Sequence, residues 1–214
     1  MTSGRETSGT TPPDLWDPVV RISHWGLAVV VLLNAVLTKG GSLIHVWIGW
    51  VGLTLLALRL VWGLFGPAEA RFSAFPPNPR AAIGHLRDLV ARRPRPYRSH
   101  NPAGALMVYL LWALLAVVIG TGVAMTGTTP LGAVERQVAI ESADWSTLDL
   151  GESDREGRKA LEEVHEVAAN LILFLVFLHV AGVLVEGRLM RRNLVRPMLT
   201  GDRRDTSTRK GRPV

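Results

Sequence analysis

Polar and apolar residues separate along this chain into long blocks. Four apolar runs stand out, at about 22–38, 43–65, 102–126 and 167–185. Each is long enough to cross a hydrocarbon core of roughly 30 Å at about 1.5 Å per residue. A buried helix of a soluble protein would account for one such run; four in 214 residues argue for a membrane bundle. Helix-start signals precede the runs. Asp17-Pro18 and Asn101-Pro102 each read as an N-cap followed by proline in the first turn. Ser153-x-x-Glu156 reads as a capping box opening a helical lead-in to the last run. The pattern therefore predicts an all-α integral membrane protein, a four-transmembrane-helix bundle with spans at about 20–38, 43–65, 102–126 and 161–186. Residues 15–200 form the membrane domain, between a polar tail at 1–14 and a basic tail at 201–214, both expected to be disordered. The first run reads as a retained span. The opening 15 residues are polar, contain Pro12-Pro13, and no clear A-x-A cleavage site follows.

Charge distribution sets the expected orientation. The chain carries 24 Lys+Arg against 18 Asp+Glu, a balance of +6. Such a balance raises nucleic-acid binding as a possibility, but the basic residues are placed by loop. Segment 68–101 has seven arginines against two acids, and the tail from Gly187 has nine basic residues. Segment 127–159 has seven acids against four basic residues. By the positive-inside rule both termini and the arginine-rich segment are cytoplasmic, while Lys39-Gly-Gly-Ser and the acidic segment face outward. Membrane topology accounts for the basic residues without a nucleic-acid partner.

The absence of cysteine excludes a disulfide framework, thiolate zinc, iron–sulfur clusters and covalent haem attachment through C-x-x-C-H. Attention moves to six histidines. Four lie in or at the ends of spans, where an ionisable group is costly and usually functional. His24 falls near the start of the first span and His45 near the start of the second. His165 enters the fourth span, and His179 lies 14 residues further on. Fourteen residues fall about 40° short of four helical turns and advance about 21 Å. His165 and His179 thus face the same way at two levels. His45 can meet His165 at the outer level, and His24 can meet His179 at the cytoplasmic level. Two imidazoles within a lipid-embedded bundle suit the two axial positions of haem iron. A bare zinc or copper site is disfavoured, because neither pair includes a carboxylate or thiol.

Haem also needs close helix approach and cations for its propionates. Gly49 and Gly52 lie one and two turns beyond His45, and Gly182 one turn beyond His179. Arg21 precedes His24 by three residues, and Arg59 follows His45 by 14, both on the histidine's face. Both are candidate partners of cytoplasmic-side propionates. For Arg59 the alternative is snorkelling to the headgroups. His85 and His100 lie in the arginine-rich segment. His85 reads as a solvated loop or surface-helix residue, and His100, beside the Asn101-Pro102 cap, as structural or interfacial.

Several phrases carry a resemblance. They are WDPVVRISHW (16–25), HVWIGW, LRLVWGLFGP with Arg59, ARFSAF (70–75), HNPAG (100–104), the pair His165 and His179, and NLVRPMLTG (193–201). In order, and with the expected topology, they resemble the bacterial cytochrome b561 and nickel-iron-hydrogenase b-type cytochrome superfamily over about residues 15–204. The histidine layout is similar to the membrane subunit of respiratory formate dehydrogenases. The resemblance implies a multi-pass protein of the bacterial inner membrane holding two non-covalent b haems, His45/His165 outer and His24/His179 cytoplasmic. It further implies electron transfer between a quinone/quinol pool and a redox partner, either a c-type cytochrome or a dehydrogenase or hydrogenase subunit. At most such a chain is a quinol-dependent oxidoreductase, since it has no separate catalytic domain. The competing classes are a haem-free proton-coupled transporter, with Asn34 and Asn170 on its path, and a plain membrane anchor for a partner enzyme. In the acidic segment, Glu135, Glu141, Asp144, Asp149, Glu152, Asp154 and Glu156 surround Trp145, a composition that suits a basic periplasmic partner.

Overall fold

The structure, a computed structural model, describes residues 17–93, 101–126, 134, 138, 152–191 and 193–201. Regular structure among these residues is entirely helical. The principal helices are α1 (Pro18–Val36), α2 (Leu43–Phe65), α3 (Pro79–Val90), α4 (Pro102–Thr126), α5 (Glu152–Leu189) and α6 (Val195–Thr200). The N-terminal tail, the C-terminal tail beyond Gly201, His100, and most of the acidic segment with Trp145 lie outside the described residues.

Helix starts follow from local chemistry. Asp17 Oδ1 accepts from the Val20 amide at 3.0 Å, and Pro18 opens α1. The link to α2 turns on Gly41, whose φ of +74° suits glycine. Ser42 then caps α2 by accepting from the His45 amide at 3.3 Å. Asn101 Oδ1 accepts from the Gly104 amide at 2.6 Å at the start of α4. The fourth long helix has the expected lead-in to its apolar run. Among the described residues it runs from Glu152, within one residue of Ser153. At 38 residues it is far longer than its apolar run.

Between α2 and α4 the arginine-rich segment is structured in its described part. Two 3-10 turns, Ala68–Ala70 and Phe72–Ala74, lead into α3. Asn78 caps α3 by accepting from the Ala81 amide at 3.0 Å.

The four long helices alternate in direction. Asn34 Nδ2, late in α1, donates to the His45 carbonyl, early in α2, at 3.2 Å. Thr121, late in α4, meets His165, early in the apolar part of α5. The ends where α1 and α4 begin and α2 and α5 finish are here called proximal, the opposite ends distal. Each long helix supplies one residue to the core cluster of Leu27, Leu56, Leu115 and Ile172. A Cβ at Gly52 would come within 2.9 Å of Val30 Cγ1, so this glycine permits the α1–α2 approach.

Outside this core the helices are apolar and uncovered. Val29, Leu32, Val51, Leu64, Phe174 and Phe177 are all exposed. Such faces are stable against lipid rather than water. Four helices among the described residues are long and apolar enough to cross a membrane. The chain is a multi-pass membrane protein.

Candidate functional site

At the distal level, His45 sits in the first turn of α2 and faces His165 of α5. Their ring centroids are 6.1 Å apart and the ring planes are tilted by 59°. His45 Nδ1 lies 3.1 Å from Thr38 Oγ1, and His165 Nδ1 lies 3.0 Å from Thr121 Oγ1. A cavity of about 650 Å³ opens around the pair. Its walls include Asn34, Gly49, Gly122 and Asn170, with Arg158 and Glu162 also lining it. The volume falls within the roughly 300–1,000 Å³ common for cofactor and ligand sites.

At the proximal level, His24 of α1 faces His179 of α5. Their centroids are 6.3 Å apart and their planes tilted by 58°. His24 Nδ1 is buried and has no hydrogen-bond partner among the described residues. The 14-residue spacing on one straight run of α5 separates the two levels by about 21 Å. The four histidines expected to pair therefore do meet, two by two, at two heights.

The separations have a chemical meaning. Two metal–imidazole bonds of about 2.0–2.1 Å, with ~1.1 Å from nitrogen to ring centroid on each side, put centroids roughly 6 Å apart. The same separation lies within the roughly 4.5–7 Å range of directly packed rings, so the gap admits a metal without requiring one. Neither pair gains a third donor: no group of three His, Cys, Asp or Glu side chains converges among the described residues. Two facing imidazoles with no third donor among the described residues are a set that would suit haem iron.

The glycines divide. Gly49 lines the distal cavity, and a Cβ there would meet nothing within 4 Å. Gly52 instead serves helix packing. At Gly122, unnoticed in the sequence, a Cβ would lie 3.5 Å from His165 Cε1. A Cβ at Gly182 would meet nothing within 4 Å.

The two arginines stand at the proximal end, with backbone carbonyls among their partners. Arg59 is only 5% exposed, which removes the snorkelling alternative. Its Nη2 donates to the Ala70 carbonyl at 3.2 Å, and its guanidinium carbon lies 4.9 Å from the Trp112 ring centroid. Its Nη1 is buried without a hydrogen-bond partner among the described residues. The ARFSAF turn thus closes over Arg59, and its Phe72 and Phe75 pack on Tyr109 and Trp112. Arg21 Nε donates to the Met198 carbonyl at 3.2 Å, and its Nη2 donates to the Leu199 carbonyl. Trp25 Nε1 donates to the same Met198 carbonyl at 3.1 Å. These bonds join the RISHW phrase to the NLVRPMLTG phrase.

His85 is a correction. It is 2% exposed, not solvated, and its Nε2 lies 3.8 Å from Glu186 Oε1. Glu186 Oε2 accepts from Asn101 Nδ2 at 2.5 Å. The sequence reading passed over Glu186. A signal existed: Glu186 follows His179 by seven residues, which places it on the same helix face two turns on.

The chain matches the prokaryotic cytochrome b561 family over residues 15–201, most of its length, and belongs to that family. No curated protein and no solved structure gives a match.

Proposed function

From membership of the cytochrome b561 family, which carries membrane electron transfer by b-type haem, we propose that this chain is a di-haem cytochrome passing electrons across the bacterial inner membrane. The observation that supports the reading is two facing histidine pairs, set at two heights in one bundle, each with a separation that admits an iron. His45 and His165 hold the distal haem, and His24 and His179 the proximal one. When bound, each haem supplies a one-electron centre. The protein supplies the axial nitrogens, the dry apolar surroundings, and the charges that tune potential.

Arg59 Nη1 is the buried donor available to a proximal propionate. Arg21, tied to the end of α6, contributes its charge to the same region. The proximal end is cytoplasmic and the distal end periplasmic, because the arginines gather at the first and the acids near the second. Electrons exchange with a quinone/quinol pool on one route. On the other they exchange with a redox partner, a periplasmic c-type cytochrome or an enzyme subunit. The acidic segment 127–159 gives a basic periplasmic partner a charged face to meet.

The test is spectroscopic. Purified protein should show b-type bands on reduction and two haems per chain. His165→Ala should remove one redox component and His179→Ala the other. A protein that keeps both haems without His179 would overturn the pairing, and one that never binds haem would favour a transporter or an anchor.

A further inference from the structure

The two histidine pairs differ in what stands behind the rings. At the distal pair both Nδ1 atoms face threonine hydroxyls, Thr38 at 3.1 Å and Thr121 at 3.0 Å. A hydroxyl has one proton to donate and two lone pairs to offer. Thr121 has a backbone use for its proton. Its oxygen lies 2.8 Å from the Val117 carbonyl and 3.0 Å from that of Val118. Thr38 is placed alike, 3.1 Å from the Asn34 carbonyl and 3.3 Å from Asn34 Oδ1. With those protons directed away, each threonine turns a lone pair toward its histidine. Nδ1 must then be the donor. A neutral imidazole with its proton on Nδ1 has a bare Nε2, the form that binds a metal.

Both threonines are themselves fixed. Thr38 lies in the short link between α1 and α2, where Asn34 also donates to the His45 carbonyl at 3.2 Å. Thr121 is held one turn above Val117 on α4, across from α5. The two rings are thus steered from two different helices' neighbours, Thr38 after α1 and Thr121 on α4, toward a common point in the cavity. The proximal pair is built differently, since His24 Nδ1 has no hydrogen-bond partner among the described residues.

We propose that Thr38 and Thr121 are positioning residues of the distal haem site, each accepting the Nδ1 proton of its histidine and so presenting Nε2 to the iron. The inference rests on the ligand reading of His45 and His165. It adds a consequence to that reading. A ligating imidazole that donates its second N–H to an acceptor is held in orientation and made a more basic ligand. A more basic ligand favours the ferric state, so these two threonines lower the distal potential and tighten distal haem.

The experiment uses the full-length haem-loaded protein. Thr38→Val, Thr121→Val and the double variant are compared with the parent, with His165→Ala identifying the distal component. Valine keeps the branched shape, and at position 121 it is at home in an apolar helix; haem content and proximal midpoint report that the fold is retained at both positions. Each valine variant should raise the distal midpoint in a redox titration, the double variant most, with the proximal midpoint unmoved. Distal haem affinity, read from transfer to an excess of apo-myoglobin, should fall roughly tenfold or more. Thr121→Ser, which keeps the hydroxyl, should restore the parent values. Valine variants with unchanged distal midpoint and affinity would overturn the inference while leaving the ligand reading intact. Distal loss that serine does not rescue would also overturn it. If His165→Ala keeps both haem components, the ligand reading fails and the inference with it.

Discussion

Arg59 is a cation at a depth where one persists only with partners. It has two kinds: the Ala70 carbonyl and the faces of Trp112 and Phe72. Cation–π contacts of this sort are worth about 0.5–2 kcal/mol, more when dry. If its charge also serves the proximal haem, Arg59→Leu should lower that haem's potential, because a lost positive charge disfavours the added electron. A unit charge about 10–15 Å away at an effective dielectric near 20 is worth roughly 1–2 kcal/mol. Arg59→Lys keeps the charge and should leave most of the potential in place. Redox titration of both variants is the check, and equal potentials for leucine and parent would remove Arg59 from haem tuning. The sequence put Arg59 at the proximal end of α2, where it lies, but held no sign of its carbonyl partner. Ala70 reaches it only because two 3-10 turns fold back over α2, and no periodicity encodes that return. The same limit hid Thr38 and Thr121. Histidines on one helix reveal their phase, whereas the groups behind them come from other elements.

At the scale of elements, α6 is six residues long and makes few intrahelical bonds, so its place depends on what it docks against. Arg21 and Trp25 donate to carbonyls at its C-terminal turn, where the helix dipole is negative. Gly201 ends the helix at φ +83°, and a Cβ there would come within 2.6 Å of Arg21 Nη1. Hydrogen bonds to charged donors are worth about 1.5–3 kcal/mol. Arg21→Ala should therefore release residues 195–201 to hydrogen exchange at least about tenfold faster, with the exchange of α4 unchanged. Gly201→Ala should act in the same direction through backbone strain and the clash. Unaltered exchange in both variants would show that α6 is held by other contacts. The long helices were legible because length and apolarity suffice to define a span. α3 was not, because its packing inverts the usual pattern. Its inward residues are Ala82 and His85, while Ile83, Leu86 and Val90 are exposed. His85 reads as solvated in the sequence because it lies in an arginine-rich segment, and composition does not reveal which face of α3 packs on α4 and α5.

The whole molecule is polar end to end in charge, and on the proposed reading that asymmetry sets which histidine pair faces which compartment. The proximal end gathers the start of α1, the 3-10 turns, α3 and α6, and with them Arg21, Arg71, Arg80, Arg87, Arg188 and Arg196. The distal end has the short α1–α2 link with Lys39 as its basic residue, and the acidic segment 127–159. The arginine-rich segment 68–101 is well under the roughly 60 residues to which the positive-inside rule applies. With the four spans found among the described residues, both termini are expected on the same side, so the side of one loop predicts the rest. Alkaline phosphatase fused after Arg93 should be inactive and after Asp149 active, while a fluorescent protein should glow at the first site and not the second. Replacing Arg80, Arg87, Arg92 and Arg93 with glutamine should weaken this preference, because it removes the charges that hold the segment inside. Phosphatase activity at Arg93 would invert the bundle. His45 and His165 would then face the cytoplasm, and the acidic segment could not meet a periplasmic partner. The electron route would have to be drawn in the opposite sense from the same four histidines.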